Sequence, residues 1–159
     1  MFTIQINDAD VSAMFDRLQA ALTDMSKPMN DVGRFLVKTT KERIGAGITP
    51  EGNAFAPRAQ STHEAYARKN FSYGLPLNRS GDMRKNSISH DYGSDFAEVG
   101  SNAIQSAVMQ FGAAKGSLGA NSPWGNIPAR PFIGLSDSDQ TGIIDILEEW
   151  LERSTRTAT

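Results

Sequence analysis

The chain holds two imidazoles, His63 and His90, and no cysteine. A metal centre needs three or four suitable ligands at workable spacing, and no third partner accompanies either histidine. His90 alternates with Ser89 and Asp91 and shares a face with Ile88 and Tyr92, so it reads as a packed or surface imidazole. Patterns of the type Gly-x-Ser-x-Gly, Ser-x-x-Lys and His-Glu-x-x-His, which would place an activated nucleophile or a zinc ligand pair, do not occur. The stretch GAAKGS (Gly112 to Ser117) lacks the four-residue spacer before Gly-Lys-Ser/Thr that a phosphate loop requires. Glu148, Glu149 and Glu152 fall at helical surface positions and imply no general acid and base pair. These residues predict neither an enzyme nor a cofactor or metal site.

Charge offers a second kind of chemistry. The formal net charge is −2, but its distribution is uneven. Residues 1–26 hold one basic and four acidic groups, residues 27–85 eleven and five, and residues 86–159 four and nine. One basic and one acidic portion on the same chain let copies pair head to tail; the alternative is that both are solvated surface. Arg68, Lys69, Arg79, Arg84 and Lys85 could contact phosphates, which demand only positive charge and donors. The overall negative balance and the lack of a recognisable module argue against sequence-specific nucleic-acid binding.

The elements that must position these groups follow from periodicity. Val11, Met14, Phe15, Leu18, Leu22 and Met25 recur at three, four and seven, which predicts an amphipathic helix from Asn7 to Met25 with Asn7 or Asp8 as its cap. A second helix is predicted from Pro28 to Ile44, interrupted before Pro28 and stopped by Gly45 and Gly47. Residues 45–80 carry turn formers and little periodicity, with HEAYARKN as a short helical piece; their aromatics argue against disorder. They read as an extended arm that orders against something else. Asn86 to Ser101 alternates like a hairpin around Gly93-Ser94-Asp95. AIQSAVMQFG fits either a short helix or a third strand. Gly112 to Asn126, with Trp124, reads as a flexible glycine-rich loop. Ser136 to Arg153 is a helix with Ser136 and Asp139 at capping-box spacing.

The order predicts a single domain over 1–159 of the α+β class, with two N-terminal helices and a C-terminal helix packed on a small antiparallel β-sheet. The opening residues lack the basic and apolar regions of a secretion signal. No apolar run approaches the length of a membrane span, so no membrane partner is expected. Pro128 and Pro131 stiffen a turn around Arg130 just before the last helix. Arg130 there suits a carboxylate on a neighbouring subunit, or a partner within its own chain. Phe132, Ile133 and Leu135 anchor the turn to the core.

Four stretches together resemble the phage virion morphogenesis family of tail-completion or neck proteins. TPEGNAFAPRAQST (Thr49 to Thr62) is similar to its Pro-Asp-Gly-Asn-x-Trp-x-Pro segment, with Phe55 at the tryptophan position. LPLNRSGDMRKNSI (Leu75 to Ile88) resembles Leu-x-x-Thr-Gly-x-Leu-x-x-Ser-Ile, with Ser80 for threonine and Met83 for leucine. VMQFGA (Val108 to Ala113) resembles His-Gln-Phe-Gly with Met109 in place of histidine. IPARPFIGLS (Ile127 to Ser136) matches the most diagnostic motif nearly throughout. The resemblance spans roughly Val32 to Leu151.

It implies a structural virion protein of a tailed phage, assembled in the host cytoplasm and sitting at the head–tail junction as a subunit of a homo-oligomeric ring. Tail completion or head–tail joining would be its task. Neighbouring neck and tail proteins, such as an adaptor or connector and a tail terminator, would be its partners, with non-specific contact to packaged DNA. A capsid-assembly or scaffolding factor absent from the mature virion is the other reading. The interaction residues expected on this basis are Phe55, Arg58, Arg79, Arg84, Gln110, Phe111, Arg130 and Phe132.

Overall fold

The computed structural model describes residues 8–119 and 125–156. The helices are α1 (Ala9–Thr23), α2 (Ser26–Ala46), α3 (Gln60–Arg68), α4 (Asp82–Asn86), α5 (Ser106–Phe111) and α6 (Asp137–Thr155), and strands β1 (Ile88–Tyr92) and β2 (Ala97–Ser101) form the hairpin. The class is α+β. Asn7 as a possible cap, and Trp124 with the middle of the glycine-rich loop, lie outside the described residues.

Helix α2 begins two residues before the predicted proline. Pro28 sits in the first turn, where N–H groups have no intrahelical acceptor and a missing donor is harmless. The break falls instead at Asp24, whose Oδ1 accepts from the Ser26 N–H at 2.9 Å. At the other end Gly47 takes a left-handed φ of 73° and its N–H donates to the Arg43 carbonyl at 2.9 Å, the ending that glycine tolerates best.

The strands pair antiparallel with Ile88 opposite Ser101, His90 opposite Val99 and Tyr92 opposite Ala97. Of the three long helices, α2 lies across both strands, α6 packs against α2, and α1 packs against α6. A two-stranded ribbon is only about 5 Å between strand axes, whereas a helix with side chains is about 10 Å wide, so one helix fills its face. Gly33 permits the close approach: a Cβ there would lie 2.4 Å from the His90 ring. His90 also reaches Asn30 Oδ1 through Nε2 at 2.9 Å, which ties the sheet to the helix. His63 pairs elsewhere, its Nδ1 lying 2.8 Å from the Tyr73 hydroxyl.

The core is Ile44, Phe55, Met83, Ile88 and Phe132, drawn from α2, the segment after it, α4, β1 and the turn before α6. Two of these were hidden from periodicity. Residues 45–80, expected as an arm awaiting neighbours, are pinned to their own chain at Phe55. The Phe55 N–H donates to the Gly47 carbonyl at 2.8 Å and Ile48 bridges Ala54. Burying one phenylalanine stabilises by about 2 kcal/mol, enough to hold a short loop down. Helix α4, five residues long and carrying Met83 into the core, was not predicted. The stretch that fitted either helix or strand is helix α5.

Candidate interaction surface

The turn before α6 is built from three directions. From its own end, Ser136 Oγ accepts from the Asp139 N–H at 3.1 Å while Asp139 Oδ2 accepts from the Ser136 N–H at 2.9 Å. This is the predicted capping box with Asp in place of Glu. From α2, Arg43 donates to Asp139 Oδ2 and, through Nη1, to the carbonyls of Phe132 at 3.0 Å and Gly134 at 3.2 Å. Arg43 is 6% exposed and Asp139 1%. Burial pushes the Asp139 carboxyl up, but hydrogen bonds from Ser136, the nearby Thr39 hydroxyl and the Arg43 charge outweigh it and hold the group below the usual carboxylate value. From sequence, Asp139 reads as a cap residue alone, and nothing marks Arg43 as its partner. Only the burial of Arg43 is signalled, since it lies seven residues beyond Leu36 on the buried side of α2.

From α5, Gln110 acts as a clamp. Its Oε1 accepts from the N–H groups of Phe132 at 3.0 Å and Ile133 at 3.1 Å, and its Nε2 donates to the Ile133 carbonyl at 2.8 Å. Three of the amide's four hydrogen-bonding positions are matched to the backbone of the turn. Phe132, fully buried, then enters the core.

Arg130 is spent on its own chain. Its Nε donates to the Ala56 carbonyl at 2.6 Å and Nη2 to the Pro57 carbonyl at 2.7 Å. Of the two readings of this residue, the geometry is intrachain, and the acceptors are carbonyl oxygens rather than a carboxylate. Burial, and then the charge of Arg58, push its pKa below the ordinary arginine value. Its backbone N–H bonds the Met109 carbonyl at 2.7 Å, so the Met that replaces the motif histidine still seats the turn through its main chain.

Gly112 sets the crossing of this turn with α5. Its φ is 74°, and a Cβ would lie 2.8 Å from the Ile127 carbonyl oxygen and 2.9 Å from the Ala129 nitrogen. Both are backbone atoms that cannot swing aside. Gly112→Ala is expected to cost about 1–3 kcal/mol, read as a lower urea midpoint at unchanged slope. A midpoint equal to that of the unaltered protein would refute the crowding.

Between the turn, α3 and α4 lies a cavity of about 450 Å³, within the range of ligand-sized clefts. Arg58, Arg79 and Arg130 all line it, together with Asp82 and with Tyr66, Met83 and Met109. Arg58 donates to the carbonyls of Gly74 and Leu75, each at 2.6 Å, and stands 5.1 Å over the Tyr73 ring. Arg79 stands 5.7 Å over Phe71. Among the described residues none of the three meets a carboxylate within salt-bridge distance.

The remaining predicted residues go elsewhere. Arg84 joins Arg34, Lys38, Lys41 and Lys85, with Glu42 among them, around a shallow, mainly basic patch over Val37. Phe55 and Phe132 are core, and Gln110 is a clamp. Phe111 is 80% exposed, and just before α5 Ile104 is 99% exposed. Sequence reading passed over Ile104, because an isolated apolar residue carries no sign of whether it faces in or out.

The profile of the phage virion morphogenesis family matches residues 6–152, and the chain belongs to that family. Its role lies in phage morphogenesis. It is 27% identical over 156 residues to the putative capsid assembly protein G of Escherichia phage Mu, covering 94% of this chain and 97% of that protein. It is 24% identical over 155 residues to the Mu-like prophage FluMu G protein 2 of Haemophilus influenzae, covering 96% and 97%. No solved structure matches.

Proposed function

We propose that the chain is a non-enzymatic subunit of a ring at the head–tail junction of a tailed phage, acting in tail completion or head–tail joining through contacts with its own copies and with neighbouring neck and tail proteins. One observation carries this reading beyond the family. Phe111 and Ile104, at the two ends of α5, stand almost wholly in solvent beside a turn that four separate groups hold rigid. Large apolar side chains displayed on a fixed support are what an assembly contact requires. The rigidity also limits the ordering cost on docking. Packaged DNA would meet such a ring at the basic patch on α2 and α4.

A second reading draws on the name of the phage Mu relative, a putative capsid assembly protein: a factor needed to build the capsid and absent from the finished particle. Mass spectrometry of purified virions separates the two. The chain is expected at ring-like stoichiometry, and particles made without it are expected to be full heads beside unjoined tails under the electron microscope. Virions free of the protein, or loss of heads, would favour the assembly factor.

A further inference from the structure

The cavity lined by Arg58, Arg79 and Arg130 has a chemical mismatch. Three guanidinium groups and one carboxylate, Asp82, line it. Arg58 and Arg130 give their donors to backbone carbonyls, Arg79 stands over Phe71, and none of the three is ion-paired among the described residues. Tyr66, Leu77, Met83, Met109 and Ile127 supply its apolar lining. With a net positive lining and Arg79 exposed at its rim, the site suits an acidic segment that also carries an aromatic ring, since a guanidinium binds a carboxylate through paired donors and stacks on rings. Methionine adds soft contacts to the same ring.

The chain itself displays such a segment. The tip of the β1–β2 hairpin, residues 91–98, holds Asp91, Asp95 and Glu98 and no cation. Tyr92 and Phe96 are each more than two-fifths exposed there. The tip is held in one shape: the Gly93 N–H bonds the Phe96 carbonyl at 2.9 Å, and the Ser94 carbonyl accepts from the Met25 N–H at 3.2 Å. It cannot reach the cavity of its own chain. The cavity lies at the opposite end of the hairpin, beside Met83 and Gln105, which flank the strands. Five residues of strand separate the two ends by about 17 Å.

We propose that this cavity receives the acidic, aromatic hairpin tip of a second copy. Donor and acceptor at opposite ends of one subunit make a heterologous contact, which closes into a ring or runs on as a filament. The proposal rests on the ring reading given above and supplies its contact. It also assigns the charge asymmetry seen in the sequence to two facing surfaces, with Arg79 as the accessible member of the trio.

The absence of cysteine makes the test direct. Ser80→Cys on the cavity rim and Ser94→Cys at the tip, combined in one full-length chain, are treated with a short bis-maleimide cross-linker. A ladder of covalent multimers is expected. A mixture of the two single variants is expected to stop at the dimer, and either alone to remain monomeric. Arg79→Glu in the double-cysteine chain should weaken the ladder about tenfold, as should Asp95→Lys, and the two reversals together should restore it. Both positions are exposed, and unchanged circular dichroism checks that the fold persists. No ladder, a ladder indifferent to the reversals, or dimers from a single variant alone would overturn the contact. Short duplex DNA retained by the unaltered chain and lost on Arg79→Glu, without a ladder, would overturn it in favour of phosphate binding. The ring reading is scored separately with a lysine-reactive cross-linker. Multimers there without the cysteine ladder defeat only this contact, whereas monomer throughout, in solution and in virions, defeats both.

Discussion

Arg43→Ala is expected to destabilise the protein by about 3–5 kcal/mol, the cost of leaving a buried carboxylate without its partner. Net stabilities of domains are about 5–15 kcal/mol, so much of the folded population would be lost near the original melting temperature. The loss exceeds that of one ion pair because Arg43 also satisfies the carbonyls of Phe132 and Gly134. Asp139, for its part, both pairs with Arg43 and caps α6. Combining Arg43→Met with Asp139→Asn removes both charges while an amide oxygen keeps the cap. That variant should recover part of the loss but not all, because the two carbonyls remain without a donor. Equilibrium urea unfolding of the single and double variants checks this, and strictly additive losses would contradict the coupling.

The same pair gives a pH dependence with a definite sign. The folded Asp139 carboxyl is held below its usual value. Its contribution is therefore present in full above the unfolded carboxylate pKa of about 4 and is lost as pH falls through the lower folded value. Asp139→Asn is expected to be less stable at neutral pH and to lack this part of the acid slope.

Phe132→Ala is expected to cost about 3–5 kcal/mol, as large-to-small changes of buried aromatics do. The ring is wholly buried and touches a core assembled from α2, the segment holding Phe55, α4 and β1. Its loss would loosen both the turn before α6 and the loop that supplies the cavity wall. Phe132→Leu should cost much less, under about 1.5 kcal/mol, because volume is nearly conserved. Phe111→Ala is the informative contrast. That ring is exposed, so thermal and urea midpoints should move by no more than about 0.5 kcal/mol equivalent, while the yield of joined particles should fall. A strong destabilisation by Phe111→Ala, or full particle yield, would remove Phe111 from the proposed contact surface.

The eight residues singled out from sequence divide along physical lines. Phe132 as a core anchor was readable, because two prolines and a following capping box delimit an apolar cluster with nowhere else to go. Phe55 reads from sequence as an arm contact, since one aromatic among turn formers has no period to announce its burial. Gln110 lay in a recognisable motif, but its three bonds to Phe132 and Ile133 depend on α5 lying across the turn. Arg58, Arg79 and Arg130 belonged to three different motifs, and nothing in any of them indicated a shared cavity.

By itself, then, the sequence determined the two N-terminal helices, the hairpin, the capped last helix, the uneven charge and the family. Each of these is set by spacings of two to four residues, by a cap, or by an ordered series of short motifs, all read along the chain. Only the tertiary structure decided that Arg43 meets Asp139 across 96 residues, that Arg130 turns inward to the carbonyls of Ala56 and Pro57, and that three guanidinium groups share one wall. The reason is that a single long side chain can reach several partners of equal chemistry. Which of them it meets is settled by how α2, α5 and the turn before α6 pack.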